Sequence, residues 1–264
     1  MITTSVIIPT YKPQQYLDKC LESLEKQTMD KDCFEVLVVL NGEKEPYHST
    51  IQKKLDSYPF SSQLIHTSTQ GVSNARNIGL THAKGKYVSF IDDDDCVSPS
   101  YLDELCKLAI KNPSAVIVSN VLTFREEDGM PLGKDYISKA YDHFSNQPSD
   151  SLFRKRKFLS SSCCKIIPMA IIKDRRFNTK LRLSEDAIFM FELSDKIRDV
   201  ILASKSCIYY RRLRSNSASR KPVSFGQRLR NKTLLITIIC GIYLKNPLQY
   251  NLLLFLSRII AILK

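Results

Sequence analysis

Asp92-Asp93-Asp94-Asp95 follows directly on Tyr87-Val88-Ser89-Phe90-Ile91, so four consecutive carboxylates close a continuous apolar run. Carboxylates this close repel one another, and more strongly as water is excluded, so a cation is expected among them. Hard divalent cations take oxygen ligands. Mg²⁺ is commonly held by one or two carboxylates together with substrate phosphates and water, and Mn²⁺ suits the same donors. The competing expectation is a solvated acidic loop, or a cap for a helix opening near Ser98-Pro99-Ser100.

The elements that must position this cluster can be read from hydrophobic periodicity. Thr4 to Pro9 is a short β-branched run that predicts a buried strand. Gln14 to Gln27 predicts a helix, with Tyr16, Leu17, Cys20, Leu21 and Leu24 on one face. Phe34 to Leu40 is a second buried strand, ended by the turn pair Asn41-Gly42. A helix over 47–57, a strand over 63–66, a helix over 72–83 and a strand over 87–91 complete the series. This alternation predicts an α/β fold with a mostly parallel sheet flanked by helices. Ligands of such sheets bind beyond the C-terminal strand ends, which here carry Pro9-Thr10-Tyr11, Asn41-Gly42-Glu43 and the four aspartates. No G-x-G-x-x-G follows the first strand and no G-x-x-x-x-G-K-[ST] occurs, so neither a dinucleotide fingerprint nor a P-loop is expected.

Six segments in order resemble the family 2 glycosyltransferases. They are Ser5-Val6-Ile7-Ile8-Pro9-Thr10-Tyr11, Cys20 to Leu24 with Gln27-Thr28, Phe34-Glu35-Val36, Gly71 to Leu80, Phe90 to Asp95, and Leu183-Ser184-Glu185-Asp186-Ala187-Ile188-Phe189. The resemblance implies a GT-A (Rossmann-like) fold, a nucleotide-diphosphate sugar donor and transfer with inversion at the anomeric carbon. It implies Asp92 near the donor ribose and Asp94 on a divalent metal, with Asp95 a neighbouring ligand and Asp93 in the donor site. Pro9, Thr10 and Tyr11 fall where relatives line the nucleoside pocket, and Arg76 and Asn77 near the donor phosphates. An inverting displacement also needs a base for the acceptor hydroxyl. The resemblance puts it at Glu185-Asp186, with Asp186 preferred. The alternative is that Ser184 caps a helix and both acids merely complement its dipole. Tyr209 to Ser219 resembles a loop that closes over the donor, with Arg211 and Arg214 as phosphate ligands. Asn41 stands where relatives often carry an acid, and its amide can bond a uracil edge, so a UDP-sugar is the leading donor. The chain has no Trp, so the Gln-x-x-Arg-Trp signature of processive synthases is missing and addition of one sugar is expected.

Charge is distributed unevenly. Residues 1–199 carry 27 basic and 27 acidic side chains, whereas Val200 to Lys264 carries 12 basic and no acidic ones, which is the whole net charge of +12. Two apolar runs, Thr233 to Leu244 and Leu248 to Leu263, follow within this basic tail, each short of the roughly 20 residues that span a bilayer. They predict a helical extension over 221–264 behind a transferase domain over 1–220. The extension either covers the core or a subunit interface, or lies on an anionic membrane surface. The start has no basic apolar leader, and eight scattered cysteines without C-x-x-C spacing suggest reduced thiols. The expected setting is therefore cytoplasmic, peripheral at the inner face of the cell membrane, with a glycan acceptor linked to polyprenyl pyrophosphate. Nucleic acid is not an expected partner, because no nucleic-acid-binding signature accompanies the charge. The basic run Phe153 to Lys157 reads more simply as solvated surface. Two other functions share parts of this pattern. One is a nucleotidyltransferase, the other a non-catalytic module with a basic tail.

Overall fold

A computed structural model of the chain describes residues 1–125, 130–213 and 224–263. Strands β1 (Thr4–Thr10) and β2 (Phe34–Asn41) are buried along their whole length. This is what their unbroken Val, Ile and Leu runs require of strands covered on both faces. They pair in parallel, with β3 (Ser61–Thr67) beyond β2 and β4 (Tyr87–Phe90) on the other side of β1. Helices α1 (Tyr16–Glu25), α2 (Tyr47–Leu55) and α3 (Val72–His82) make the crossovers. Helix α1 buries Leu17, Cys20, Leu21 and Leu24, the stripe its spacing predicts. Helix α3 approaches β1 so closely that a Cβ at Gly79 would lie 2.4 Å from Ile7 Cγ2.

Beyond β4 come β5 (Cys96–Val97), α4 (Tyr101–Lys111), β6 (Ala115–Val118), β7 (Asn120–Arg125), β8 (Pro131–Gly133) and α5 (Tyr136–Asn146). They are followed by β9 (Lys165–Pro168), α6 (Met169–Ile172), α7 (Glu185–Leu193), β10 (Asp199–Leu202) and β11 (Ile208–Leu213). The main sheet has the order β10-β6-β9-β4-β1-β2-β3. Strand β9 runs antiparallel to both neighbours and the other pairings are parallel, so the sheet is mixed. A second sheet, β5-β11-β7-β8, has no counterpart in the sequence reading. It brings β11 alongside β5, immediately after the aspartate run.

The basic tail forms α8 (Phe225–Lys245) and α9 (Leu252–Leu263). The two run antiparallel, with Lys232 near the start of α8 donating to the carbonyl of Leu263 at 2.7 Å. Their inner faces pack on α7. Tyr250 stacks on Phe191 at 5.4 Å and donates to Glu192 O at 3.1 Å, while Tyr243 stacks on Phe255 at 4.1 Å. One side of the tail thus covers the core. The expected domain boundary at 220/221 lies outside the described residues. Among the described residues, no helix is long and apolar enough to cross a membrane.

Candidate active site

After β4 the chain turns at once, the Asp95 amide donating to Asp92 O at 3.1 Å. The turn gathers carboxylate oxygens of Asp92, Asp94 and Asp95 within 4.8 Å of one another. Asp93 instead accepts from the Thr10 hydroxyl at the end of β1, at 2.5 Å. Asp95 is buried and accepts from the Arg212 amide at 2.8 Å and from the Tyr209 hydroxyl. Burial, then the charges of Asp94 and Asp92, push its carboxyl well above the usual range. A solvated acidic loop would not bury Asp95. Three carboxylate donors gathered this closely, one of them buried, form an oxygen set suited to a hard divalent cation, so the residues present fit Mg²⁺ or Mn²⁺.

A second acidic group meets the first through Arg76. This side chain of α3 is buried, with its Nη2 on Asp92 Oδ1 at 2.9 Å and its Nη1 on Asp186 Oδ1 at 2.7 Å. Nη1 also lies 3.5 Å from Glu185 Oε1, and the ring of Phe177 sits 5.4 Å from the guanidinium carbon. Arg76 was expected at donor phosphates. Its terminal nitrogens are instead spent on carboxylates from two elements 94 positions apart in sequence, Asp92 and Asp186. Asp186 also accepts from the Ser162 hydroxyl at 2.9 Å. The buried Lys165 ammonium holds that loop, donating to Ser161 O at 2.5 Å and Cys163 O at 2.6 Å. Burial, then the Asp186 charge, raise the Glu185 carboxyl to about 7 against the opposing pull of Arg76. A carboxyl near neutrality beside an Arg-held carboxylate can accept and release a proton at physiological pH. Ser184 does not act as a side-chain cap here: its backbone is left-handed at φ 64° and its hydroxyl makes no capping bond. A non-glycine residue in that conformation is held there by its surroundings.

The ends of β1 and β2 are tied together. Asn41 Nδ2 donates to Thr10 O at 2.7 Å, and Asn41 Oδ1 accepts from the Gly71 amide at 2.9 Å. Both polar atoms of the amide expected to meet a base are therefore used on main chain. They fasten the first residue before α3 to the mouth of the sheet. Pro9 and Thr10 are buried in β1, whereas Tyr11 is half exposed. The Tyr11 ring lies against Gly42, where φ is +111° and a Cβ would come 2.8 Å from Cε2, so only glycine suits that corner. Asn77 spends its amide on Phe177, donating to its O at 2.9 Å and accepting from its N at 2.8 Å.

On β11, Arg211 donates to Asp135 at 2.5 Å and to Cys164 Sγ at 3.2 Å. Asp135 is itself the N-cap of α5, so Arg211 is committed to that helix start. Arg214 lies outside the described residues. Its neighbour Arg212, not singled out from the sequence, is buried and donates through Nε to Asp94 O at 2.9 Å. The Arg212 guanidinium lies between the rings of Tyr16 at 4.8 Å and Phe124 at 4.7 Å. Tyr209 was also missed; its hydroxyl accepts from the Asp92 amide at 3.2 Å. Strand alternation separates 211 from 212 in principle. It could not say which side would meet the aspartates.

Comparison with known proteins identifies the family and the fold. The sequence model described as Glycosyl transferase family 2 matches residues 5–175. The glycosyltransferase GlyA of Streptococcus pneumoniae is 31% identical over 227 residues, 82% of this chain and 31% of that protein. The poly(ribitol-phosphate) beta-N-acetylglucosaminyltransferase TarS of Staphylococcus aureus is 25% identical over 212 residues, 80% of this chain and 35% of that protein. The chain thus spans about a third of the length of both relatives. The crystal structure of TarS 1-349 in complex with UDP-GlcNAc superposes with a TM-score of 0.77 at 22% identity, covering 98% of this chain and 73% of that one. A mannosyltransferase of Pyrobaculum calidifontis, in complex with GDP-Man and Mn²⁺, gives 0.62 at 15% identity, covering 90% and 63%. These two share the GT-A architecture. With residues 5–175, about two thirds of its length, matched by the family model, the chain belongs to glycosyl transferase family 2.

Proposed function

We propose that the chain transfers one sugar, with inversion, from a UDP-sugar to a glycan acceptor destined for the cell surface, the acceptor being carried on polyprenyl pyrophosphate. The observation that carries this reading is the Arg76 bridge, which joins the Asp92–Asp95 cluster to the Glu185-Asp186 pair in one site. Asp94, with Asp92 and Asp95, would hold Mg²⁺ or Mn²⁺. When bound, that ion would neutralise charge building on the departing diphosphate. Asp186 is the proposed base for the acceptor hydroxyl, with Glu185 beside it able to share or take the proton. Arg76 keeps both acids oriented, and Arg212 and Tyr209 fix the aspartate turn through its main chain. Tyr11, half exposed beside Gly42, is the side chain proposed to stack on a nucleoside base. The name of TarS, a poly(ribitol-phosphate) beta-N-acetylglucosaminyltransferase, supports an N-acetylhexosaminyl donor, and the mannosyltransferase with GDP-Man leaves a hexosyl donor as the alternative.

The test is a screen of UDP-, GDP- and dTDP-sugars with lipid-linked acceptors. Nucleoside diphosphate release is followed with Mn²⁺, Mg²⁺ or EDTA, in the parent, Asp94→Ala and Asp186→Asn. Metal-dependent release from one UDP-sugar, lost in both variants, is expected. Release of pyrophosphate from a nucleoside triphosphate would replace the proposal with nucleotidyl transfer.

A further inference from the structure

Helix α9 is apolar on both sides: Leu254 is buried and Phe255, Ile259 and Ile262 pack on the core. Its one charged residue, Arg258, is 8% exposed and donates inward to Ser160 Oγ at 3.2 Å, Arg156 O at 3.3 Å and Leu159 O at 2.6 Å. The opposite side carries Leu252, Leu253, Leu256, Ile260 and Leu263, each between 44% and 59% exposed. At about 100° per residue these five fall within one arc of about 100°. Leu248, just before the helix, is fully exposed. A helix at the surface of a water-soluble domain ordinarily turns such a stripe inward, and an exposed contiguous leucine face marks a contact.

The surroundings say which contact. The turn that receives Arg258 continues into a cleft of about 260 Å³ lined by Arg154, Arg156 and Lys157 with Lys139 and His143 of α5, and among the described residues no carboxylate lines it. Helices α8 and α9 carry no acid, and Arg228, Arg230 and Lys245 of α8 are exposed. A second copy meeting this face would bring like charge against like charge. A bilayer with anionic headgroups offers hydrocarbon to the leucines and phosphate to the cations at once. We infer that α9 lies in the plane of an anionic bilayer surface, its outer leucines in the headgroup and acyl boundary and the exposed Arg154 and Lys157 on lipid phosphates. Because α8 and α9 pack on α7, docking holds the helix that begins with Glu185-Asp186 beside the lipid surface. The inference rests on α9 and its charged rim and is independent of the donor chemistry.

Flotation of the full chain with phosphatidylcholine vesicles, with and without phosphatidylglycerol, tests it. Binding is expected only to the anionic vesicles, and it should be lost near 1 M salt, where the screening length falls to about 3 Å. Leu256→Glu/Ile260→Glu should weaken it more than tenfold, and Arg154→Ala and Lys157→Ala about fivefold each. All these positions are on the surface, so thermal unfolding of each variant should match the parent. Failure of the parent to float, or equal flotation of the double glutamate variant, overturns the inference. A parent dimer that the same variant converts to monomer also overturns it, by assigning the face to a second copy.

Discussion

Replacing Arg76 by Met removes a cation that three carboxylates share while keeping most of the side chain's volume. The Arg76 side chain is 4% exposed, and its partners Asp92, Glu185 and Asp186 are 41%, 14% and 19% exposed. Solvent screens the Asp92 pair, so the loss falls mainly on the two acids of α7. Removing one member of a buried ion pair costs about 3 to 5 kcal/mol, because the remaining charge stays buried. For a chain of this size that is a fall in Tm of roughly 10 °C. The loss should depend on pH with a definite sign. Arg76 opposes the rise of the Glu185 carboxyl to about 7, so its removal drives that carboxyl higher still. An acid whose carboxyl is raised in the folded state binds its proton more tightly there than in the unfolded chain. The stability it gives is complete below the unfolded value, near 4.5, and is lost as pH rises through the folded value. Arg76→Met should therefore lie nearest the parent at about pH 5 and furthest from it above pH 8. The assay is urea unfolding between these limits in EDTA, so that metal binding does not shift the baseline. Combined with Asp186→Asn, the loss should be smaller than the sum of the single losses by more than about 1 kcal/mol. A loss under about 1 kcal/mol at pH 8, or one that grows on acidification, would refute the bridge as the organising contact.

Three further outcomes follow from single contacts. Glu185→Gln should abolish a decline of the order of 3 kcal/mol that the parent shows between about pH 4.5 and 8, read from urea midpoints, since the carboxyl sits at about 7 when folded. Arg212→Met loses the bond to Asp94 O and the two ring contacts. It should destabilise by about 2 to 4 kcal/mol and weaken Mn²⁺ binding in a direct titration without donor; unchanged Mn²⁺ affinity would remove Arg212 as a positioning residue. Gly79→Ala should cost about 1 to 3 kcal/mol in thermal unfolding, because its Cβ would meet Ile7 at 2.4 Å and both elements are packed; a neutral result would mean α3 can move off the sheet.

Much of the first hundred residues could be read from residue order alone. The strands β1, β2 and β4 are largely apolar runs with turn residues at their ends and α1 carries one apolar face, so local periodicity determines their type, whereas α3 buries Ser73 and Arg76 along with Ala75, Gly79 and Leu80. The Asp92–Asp95 cluster was legible for the same reason, since carboxylates that end a buried strand must stand at the sheet mouth. Tertiary structure alone decided how side chains were shared. Arg76 reads as a phosphate ligand beside its own helix, yet it points at acids on α7, because that helix folds back across the mouth. Arg211 and Arg212 differ by one position, and only the pairing of β11 with β5 and β7 turned Arg212 onto the aspartate turn and Arg211 toward the start of α5. Asn41 and Asn77 were spent on main chain at contacts of 30 and 100 residues' separation, which no local pattern encodes. In α9 the sequence determined that twelve residues would be almost wholly apolar. Which side faced outward was settled by the carbonyls of 156–159, which gave Arg258 buried partners and left the leucines in the open.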